Sequence, residues 1–389
     1  MQRKNVFWFS WRMIVHYNTE KKRVFFVFSN LSLGGVQTKM IHLANALVAQ
    51  GVDCWIFLEE RGKYSRSNLL DKRVKVIASL NIKVFNKRPF RGWRFMFLVS
   101  LFVVFLRPRS LFVSLAPLAT HLMFFLLKLY PPLASRVVVN EDTFPGYEYE
   151  GARHASLRRQ IMTYYPRSKR VIAVSQSTYN NLREQFGISS PPLTLLPNWT
   201  NFSSASSPSG KSRDIDLLYA GRLDAQKQPE VLVDVLAGIF KKRPQTTVRV
   251  HGDGEKLNEF TQCLKTLKIH TKVLVLPPTE DIEVVLMRSK ILLFTSRYEG
   301  LPFVGVEAMK AGAVVACLDA PGLRDLVRDG RTGVMKRDVS VLVENIARLL
   351  DSPAALGRMQ RAAFGYAKDV FSERNEERLI QMMLEEGTA

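Results

Sequence analysis

The residues best suited to chemistry are two glutamates and two cations in the second half of the chain. Glu299 and Glu307 enclose seven residues in the segment EGLPFVGVE, and Arg222 and Lys227 enclose four in GRLDAQK. Paired carboxylates can hold the hydroxyl groups of one ligand from two sides, and fixed cations stabilise a phosphate that gathers negative charge. A sugar nucleotide carries both kinds of group and would fit this set.

The segment around Glu299 predicts a strand, a loop and a helix. Residues 291–296 are mostly apolar, which indicates a buried parallel strand, and Pro302 marks the start of a helix that contains Glu307. Open α/β sheets bind ligands at the carboxyl ends of their strands, and the free N–H groups of a helix start attract anions. We therefore expect residues 297–302 to bind an anionic ligand.

The context EGLPxxxxEAMxxG resembles the paired-glutamate motif of the retaining glycosyltransferases of family GT4, which have the GT-B fold. The resemblance extends to residues 24–47, 217–228, 248–255 and 321–333. It implies an α/β protein with two Rossmann-like domains that face each other across a cleft. The first would bind the acceptor and the second the nucleoside-diphosphate sugar, linked to UDP or GDP. The implied reaction moves the sugar to a hydroxyl group with retention at the anomeric carbon.

The resemblance also assigns roles to individual residues. Glu299 would meet the hydroxyl groups of the donor sugar, near the developing positive charge, and Glu307 would bind the nucleotide ribose. The other donor-binding residues are two cations at the diphosphate, glycines at the donor–acceptor junction and beside the nucleotide, and the main chain at the helix start: Arg222, Lys227, Gly34, Gly35, Gly252, Gly254, Gly300, Leu301, Pro302 and Phe303.

Acidic residues follow another strand, at residues 136–139. Many members of the family have a histidine in the next loop, whereas this chain has Glu141 and Asp142. The resemblance makes either acid a candidate to orient or deprotonate the acceptor hydroxyl. An exposed acidic loop without a role is the alternative.

No metal or other cofactor is expected. Asp214 and Asp216 match the D-x-D pattern of the other major glycosyltransferase fold, but they precede a strand and are interpreted as linker charge. Arg222 and Lys227 would neutralise the diphosphate instead. The three cysteines form no C-x-x-C pair, which excludes a disulfide framework and a zinc cluster and favours a reducing compartment.

The charge of the chain is uneven. Of a net +21, the first 200 residues carry 29 basic and 10 acidic side chains, against 27 and 25 in the remainder. Residues 61–109 hold 13 basic residues and one acid, with aromatic residues interleaved. This tract suits an anionic membrane surface and predicts a peripheral protein on the cytoplasmic face, with a glycan or lipid-linked acceptor such as lipopolysaccharide. No nucleic-acid-binding module accompanies it, so no nucleic-acid partner is expected.

Two apolar runs, residues 95–106 and 110–127, are too short or too interrupted for a clear membrane span, and a transmembrane hairpin is the alternative.

The predicted organisation is an extension (1–22), an acceptor domain (23–200), a linker (201–211), a donor domain (212–370) and a final helix that packs back on the first domain (371–389). Other functions stay open. They are a different GT-B enzyme, such as a nucleotide-sugar epimerase or a phosphorylase, and a basic nucleic-acid-binding protein on a degenerate transferase scaffold.

Overall fold

A computed structural model describes residues 22–28, 30–58, 66–78, 110–115, 127–128, 130–151, 154–189, 192–202, 213–279 and 281–385. Within these ranges the strands form two parallel sheets, each with an apolar core on both faces. Along the first strand, Phe25 and Val27 enter one core, and Val24 and Phe26 enter the other. A strand buried on both faces explains why its sequence is continuously apolar rather than alternating.

The first sheet has seven strands in the part of the chain described, in the order β3-β2-β1-β4-β5-β6-β7. They are β1 Arg23–Phe28, β2 Asp53–Leu58, β3 Lys75–Ala78, β4 Ser110–Ser114, β5 Val137–Glu141, β6 Arg170–Ala173 and β7 Leu193–Leu195. The helices described with this sheet are α1 Gly35–Ala49, α2 Pro145–Glu148, α3 Ala155–Tyr164 and α4 Gln176–Phe186.

The second sheet has six strands among the described residues, in the order β10-β9-β8-β11-β12-β13. They are β8 Ile215–Ala220, β9 Val248–His251, β10 Val273–Leu276, β11 Ser289–Phe294, β12 Val314–Leu318 and β13 Gly333–Lys336. The helices that follow β7 are α5 Pro229–Lys242, α6 Leu257–Thr266, α7 Ile282–Met287, α8 Phe303–Lys310, α9 Leu323–Leu326, α10 Val339–Asp351, α11 Pro353–Val370 and α12 Arg374–Leu384.

Each sheet reverses its strand order at one point, which is where a ligand crevice forms in open α/β sheets. The reversal lies between β1 and β4 in the first sheet and between β8 and β11 in the second. The loop after β8 carries Arg222 and Lys227, and the loop after β11 carries Glu299. Because β8 and β11 are neighbours, residues that are distant in the sequence meet at one edge.

The final helix, α12, crosses back to the first sheet. Leu379, Ile380 and Met383 pack in the same apolar cluster as Val24 and Phe26 of β1. At the end of this helix the Lys169 ammonium donates to the carbonyl of Met383 at 3.2 Å. Apolar packing and a main-chain contact therefore tie the end of the chain to the first unit.

The predicted and observed elements differ mainly at their ends. The strand before Glu299 is shifted toward the N-terminus, at Ser289–Phe294, and the helix begins at Phe303, one residue after Pro302. The 95–106 run and most of the 110–127 run lie outside the described residues, as do residues 203–211 of the predicted linker and most of the basic tract. Among the helices described, none combines the length and apolar character needed to cross a bilayer.

Candidate active site

The centre of the site is an ion pair between the loops that follow β8 and β11. Lys227 Nζ lies 2.5 Å from Glu299 Oε1, and Ser296 Oγ donates to the same oxygen at 2.6 Å. The side chains of Lys227 and Glu299 are only 15% and 7% exposed. One carboxylate oxygen therefore accepts two hydrogen bonds in a setting where few waters can replace them, and such a charge-assisted contact is strong.

Main-chain contacts hold these two loops together. The Arg297 amide donates to the carbonyl of Gln226 at 2.8 Å, and the Gln226 side chain donates back to the carbonyl of Tyr298 at 3.0 Å. The Glu299 amide donates to the carbonyl of Pro321 at 3.0 Å. Glu299 is thus anchored at its main chain and at its carboxylate, which fixes where that carboxylate points.

Arg222 is not part of this pair. Its side chain is 69% exposed, and it contacts Asp224 at 3.1 Å and Gln226 at 3.0 Å within its own loop. The structure therefore brings Lys227 and Glu299 together and leaves the Arg222 guanidinium at the rim of the cleft, where a bound anion could attract it.

The start of α8 is open toward the cleft. Pro302 occupies the N-cap position, and no side chain caps the helix. The N–H groups of Phe303 and Val304 have no acceptor inside the helix, which makes this end suited to an anion, whereas the Gly305 N–H donates to the carbonyl of Pro302 at 3.1 Å. The predicted main-chain site at Gly300, Leu301, Pro302 and Phe303 therefore coincides with a helix start, although Pro302 has no N–H to offer.

The glycines predicted at the donor–acceptor junction lie against this loop. A Cβ on Gly35 would come within 2.4 Å of the Phe303 ring. Gly34 is the N-cap of α1, and no side chain caps that helix either. A Cβ on Gly300 would meet the carbonyl oxygen of Asp142 at 2.1 Å. The starts of α1 and α8 thus face each other closely, and the absence of side chains is what permits the approach.

Glu307 lies one turn into α8 and faces the first domain. It lines a small cavity whose other walls are Thr38, Lys39, His42, Trp199, Thr200, Asn201 and Phe303. Burial raises the pKa of Glu307 to about 7, Glu283 adds to the rise, and Arg66 and Lys310 oppose it. The carboxylate is therefore close to protonation at neutral pH.

Gly252 and Gly254 contact the loop after β8. A Cβ on Gly252 would come within 2.4 Å of the carbonyl oxygen of Gly221, and one on Gly254 within 2.4 Å of the carbonyl oxygen of Leu223. Their small size is thus needed for packing the Arg222 loop. Their predicted place beside a nucleotide stays a prediction.

The two acids at the end of β5, Glu141 and Asp142, are enclosed. Glu141 is 3% exposed and accepts from the hydroxyl of Tyr165 at 2.8 Å, and burial raises its pKa to about 7. The Asp142 side chain is 1% exposed and pairs with Lys39 Nζ at 3.3 Å. An amide proton of Asn140 also reaches Asp142 Oδ2 at 2.6 Å. Both acids are therefore enclosed rather than exposed, and a role for either stays a prediction.

The sequence analysis missed three residues that organise the site: Ser296, Lys39 and Asn198. Ser296 could have been found from its position three residues before Glu299 in a loop. Lys39 could have been found because it is the charged residue on the buried face of α1, which is otherwise apolar. Asn198 donates to the carbonyl of Leu301 in the second domain, and no local pattern indicates such a contact.

Both aspartates of the D-x-D pattern are paired with basic side chains of the protein. The Arg288 side chain donates to Asp214 Oδ1 at 2.9 Å, and Lys290 Nζ lies 2.6 Å from Asp216 Oδ1. Both acids lie at the start of β8, whereas the predicted site is at its carboxyl end. In the described part of the chain, no cluster of three histidines, cysteines or acids is arranged to hold a metal ion.

Two family models match adjoining parts of the chain. The model for glycosyltransferase family 4 covers residues 33–203, and the model for glycosyl transferases group 1 covers residues 203–367. The chain belongs to glycosyltransferase family GT4. Its two Rossmann-like units are the two halves of the GT-B fold, and the protein is a glycosyltransferase, which sets aside the nucleic-acid-binding alternative.

Relatives and solved structures extend over most of this GT4 protein. An uncharacterized glycosyltransferase of Haemophilus influenzae is 24% identical over 341 residues, which are 86% of this chain and 91% of that protein. HepE of Anabaena, crystallised with UDP and glucose, has a TM-score of 0.74 at 19% identity and covers 93% of this chain and 99% of its own. WaaG, a glycosyltransferase involved in lipopolysaccharide biosynthesis, has a TM-score of 0.74 at 14% identity, with 93% and 100% covered. At these identities the structures show the fold.

Proposed function

We propose that this protein is a retaining glycosyltransferase that moves a sugar from a nucleoside diphosphate to a hydroxyl group of a membrane-associated glycan or lipid-linked acceptor. The observation that carries the proposal is the Lys227–Glu299 pair beside the uncapped start of α8, at the strand-order reversal of the second sheet. A cation, a carboxylate and free main-chain N–H groups are the three partners that a nucleoside-diphosphate sugar requires.

The donor would bind across the start of α8. Lys227 and the first N–H groups of the helix would bind the diphosphate, Glu299 would accept hydrogen bonds from the sugar, and Glu307 would accept them from the ribose. In the reaction the bond from the anomeric carbon to the diphosphate oxygen breaks, a bond to the acceptor oxygen forms, and the proton of the acceptor hydroxyl passes to the leaving diphosphate. Negative charge gathers on the leaving diphosphate, where one preorganised donor is worth roughly 3 kcal/mol.

The protein's own cations make the reaction independent of metal in this proposal. Lys227 and the start of α8 already provide positive charge at the diphosphate position, and Arg222 stands at the rim. We expect nucleotide release to be unchanged by EDTA. A requirement for Mg²⁺ or Mn²⁺ would contradict this part of the proposal.

The role of the two enclosed acids stays a prediction. Glu141 contacts Tyr165, and Asp142 contacts Lys39 and Asn140. Either acid would have to give up these contacts before it could touch an acceptor hydroxyl. Asp142 lies nearer the proposed donor site, because its carbonyl contacts Gly300.

The test is release of nucleoside diphosphate from a panel of UDP-, GDP- and ADP-sugars, with and without a membrane lipid extract. We expect release that needs one donor and the extract, and a loss of at least about 100-fold in Glu299→Gln. Glu230→Gln removes a carboxylate from an exposed pair with Lys256 and serves as the control. Equal rates in Glu299→Gln and the wild type would contradict the proposal, as would a product with inverted anomeric configuration.

The membrane part of the proposal is supported by charge and by similarity. The first 200 residues hold most of the positive charge, and WaaG, similar in fold, is involved in lipopolysaccharide biosynthesis. We propose peripheral attachment to the cytoplasmic face of a membrane, where anionic headgroups meet the basic tract. Flotation should recover the protein with anionic vesicles and not with neutral ones. Equal recovery with both, or with neither, would contradict it.

A further inference from the structure

The Lys39 ammonium lies at the contact between the two domains and is fully enclosed. Its side chain is 1% exposed, and its three protons meet three oxygens: Asn198 Oδ1 at 2.8 Å, Asn140 Oδ1 at 3.0 Å and Asp142 Oδ1 at 3.3 Å. An ammonium has three donors, so this set satisfies it completely. A buried charge is retained only where its partners are arranged this well.

The contacts of Lys39 continue into the proposed donor loop. Asn198, which accepts from Lys39, donates its amide proton to the carbonyl of Leu301 at 3.0 Å. Asp142, the charged partner of Lys39, lies with its main chain against Gly300. Lys39 Nζ is also 4.9 Å from the ring centroid of Trp199 and 6.0 Å from that of Phe303, distances at which a cation is attracted to an aromatic face.

Two of the first-domain groups that support residues 300–303 are therefore bonded directly to one ammonium. The third support, Gly35, lies one helical turn before Lys39 on α1. The four elements that meet here are α1, the end of β5, the segment after β7 and the start of α8. Lys39 belongs to α1, and its ammonium donates to the end of β5 and to Asn198 after β7. The Asn198 side-chain amide then connects it to Leu301, just before α8.

We propose that Lys39 is a positioning residue: it sets the place of the Gly300–Phe303 loop, and so of the α8 N–H groups, relative to the first domain. It cannot touch the donor, because its ammonium is enclosed. The inference rests on the proposed function, because that function gives the loop its role in donor binding. The positioning itself can be measured without a reaction, from how well the main chain of the loop is ordered.

The main alternative is that the pair only stabilises the first domain. Lys39→Met leaves Asp142 as a buried carboxylate without its cation, so a loss of stability alone would not distinguish the two. Lys39→Met/Asp142→Asn removes both charges and keeps the volumes, which should return the melting temperature toward that of the wild type. The control is Lys290→Met/Asp216→Asn, which removes a Lys–Asp pair at the opposite end of the second sheet.

The deciding measurement is hydrogen–deuterium exchange of the full chain, followed on peptides that cover residues 298–307. We expect the amides of Glu299, Gly305 and Val306, which donate to main-chain carbonyls in the wild type, to exchange at least fivefold faster in Lys39→Met and in the double variant, and at the wild-type rate in the control. A double variant with wild-type melting temperature and wild-type exchange in this loop would overturn the proposal. If Lys39→Met does not fold, the double variant alone gives the answer.

Nucleotide release separates this inference from the function on which it rests. In Lys39→Met, which keeps Asp142, we expect kcat to fall at least tenfold while KM for the donor changes less than threefold, because Glu307 and the second domain still hold the nucleotide. A wild-type protein that turns over no nucleoside-diphosphate sugar, yet shows the exchange difference, would contradict the proposed function and leave the positioning role standing.

Discussion

At the scale of single residues, one oxygen atom accounts for much of the site. Glu299 Oε1 accepts from both Lys227 and Ser296. A diphosphate carries more negative charge than one carboxylate and would compete for Lys227. Once Lys227 turns to the diphosphate, Glu299 keeps Ser296 and needs new donors, which the hydroxyl groups of a sugar provide. We infer that Lys227 and Glu299 stay paired in the free enzyme until a bound donor separates them.

This exchange predicts an opposite effect on binding and on turnover. Glu299→Gln frees Lys227 from its carboxylate, so UDP without a sugar should bind about five- to tenfold more tightly, while transfer is lost. Isothermal titration calorimetry measures the UDP affinity, with Glu230→Gln as the control at an exposed pair. Weaker UDP binding in Glu299→Gln would show that Lys227 does not pass from the carboxylate to the phosphate.

Glu141 predicts a pH dependence of stability. Burial raises its folded pKa from 4.5 to about 7, so the folded protein binds a proton that the unfolded chain has released between these values. The contribution to stability is full below about pH 4.5 and is lost as the pH rises through about 7, an effect of about 1–3 kcal/mol. Urea unfolding at pH 5 and pH 8 should show this slope reduced in Glu141→Gln.

Glu184→Gln is the matched control for this experiment, because Glu184 is an exposed carboxylate on α4. It should keep the wild-type dependence of the unfolding free energy on pH. An unchanged slope in Glu141→Gln would mean that Glu141 is ionised at neutral pH in the folded protein.

At the scale of elements, the close approach of the two domains depends on main chain without side chains. Gly300 rests on the carbonyl of Asp142, and Gly35 rests on the ring of Phe303. Gly322 has φ of +77° and lies against the carbonyl of Glu299, so it is needed for both its conformation and its size. These contacts explain why loops that carry the charged groups are rich in glycine.

Gly300→Ala should therefore reduce activity through geometry alone. The new Cβ would lie 2.1 Å from a main-chain oxygen that cannot rotate away, so the donor loop must shift relative to Asp142. A displacement of about 1 Å near reacting atoms costs on the order of 100-fold in kcat. Gly365→Ala on α11 meets no atom within 4 Å and should raise the melting temperature slightly. Normal kcat in Gly300→Ala would contradict the close contact.

At the scale of the whole molecule, polar contacts join the two domains away from the proposed donor site. Asp325 of the second domain accepts from the amides of Gln176 and Ser177 at the start of α4, at 2.9 and 3.1 Å, and from the Ser177 hydroxyl at 2.6 Å. Tyr298 donates to Glu148 at 2.9 Å. A carboxylate at a helix start is favourable in both charge and hydrogen bonding. These contacts join the two domains.

Asp325→Ala should open the cleft. The expected result is a larger radius of gyration by small-angle X-ray scattering and a higher KM for the donor, at a cost of about 1 kcal/mol in closure. Asp338→Ala removes a comparable cap from α10, where Asp338 accepts from Ser340 and Val341 inside one domain. That control should lose stability without a change in size. Identical scattering from both variants would show that Asp325 does not hold the domains together.

The sequence by itself determined the fold class, most of the strands described and the groups available for chemistry. Apolar runs identify strands buried on both faces, and glycine, proline and charge patterns mark the loops at their ends, because these preferences act over a few neighbouring residues. The segment from residue 291 onward was predicted as a strand, a loop and a helix and is observed as β11, its loop and α8. The limits of this strand moved by two residues and the start of this helix by one, because hydrogen bonds with neighbours decide them.

Only the tertiary structure decided which of these groups meet. It paired Lys227 with Glu299 across two loops, left Arg222 at the rim and enclosed Glu141 and Asp142, which the sequence analysis considered for a site at the cleft. It also brought Lys39 and Asn198 to the back of the donor loop. These outcomes depend on the order of strands in two sheets and on the approach of one domain to another. Such contacts join residues far apart in the chain, so no local pattern carries them.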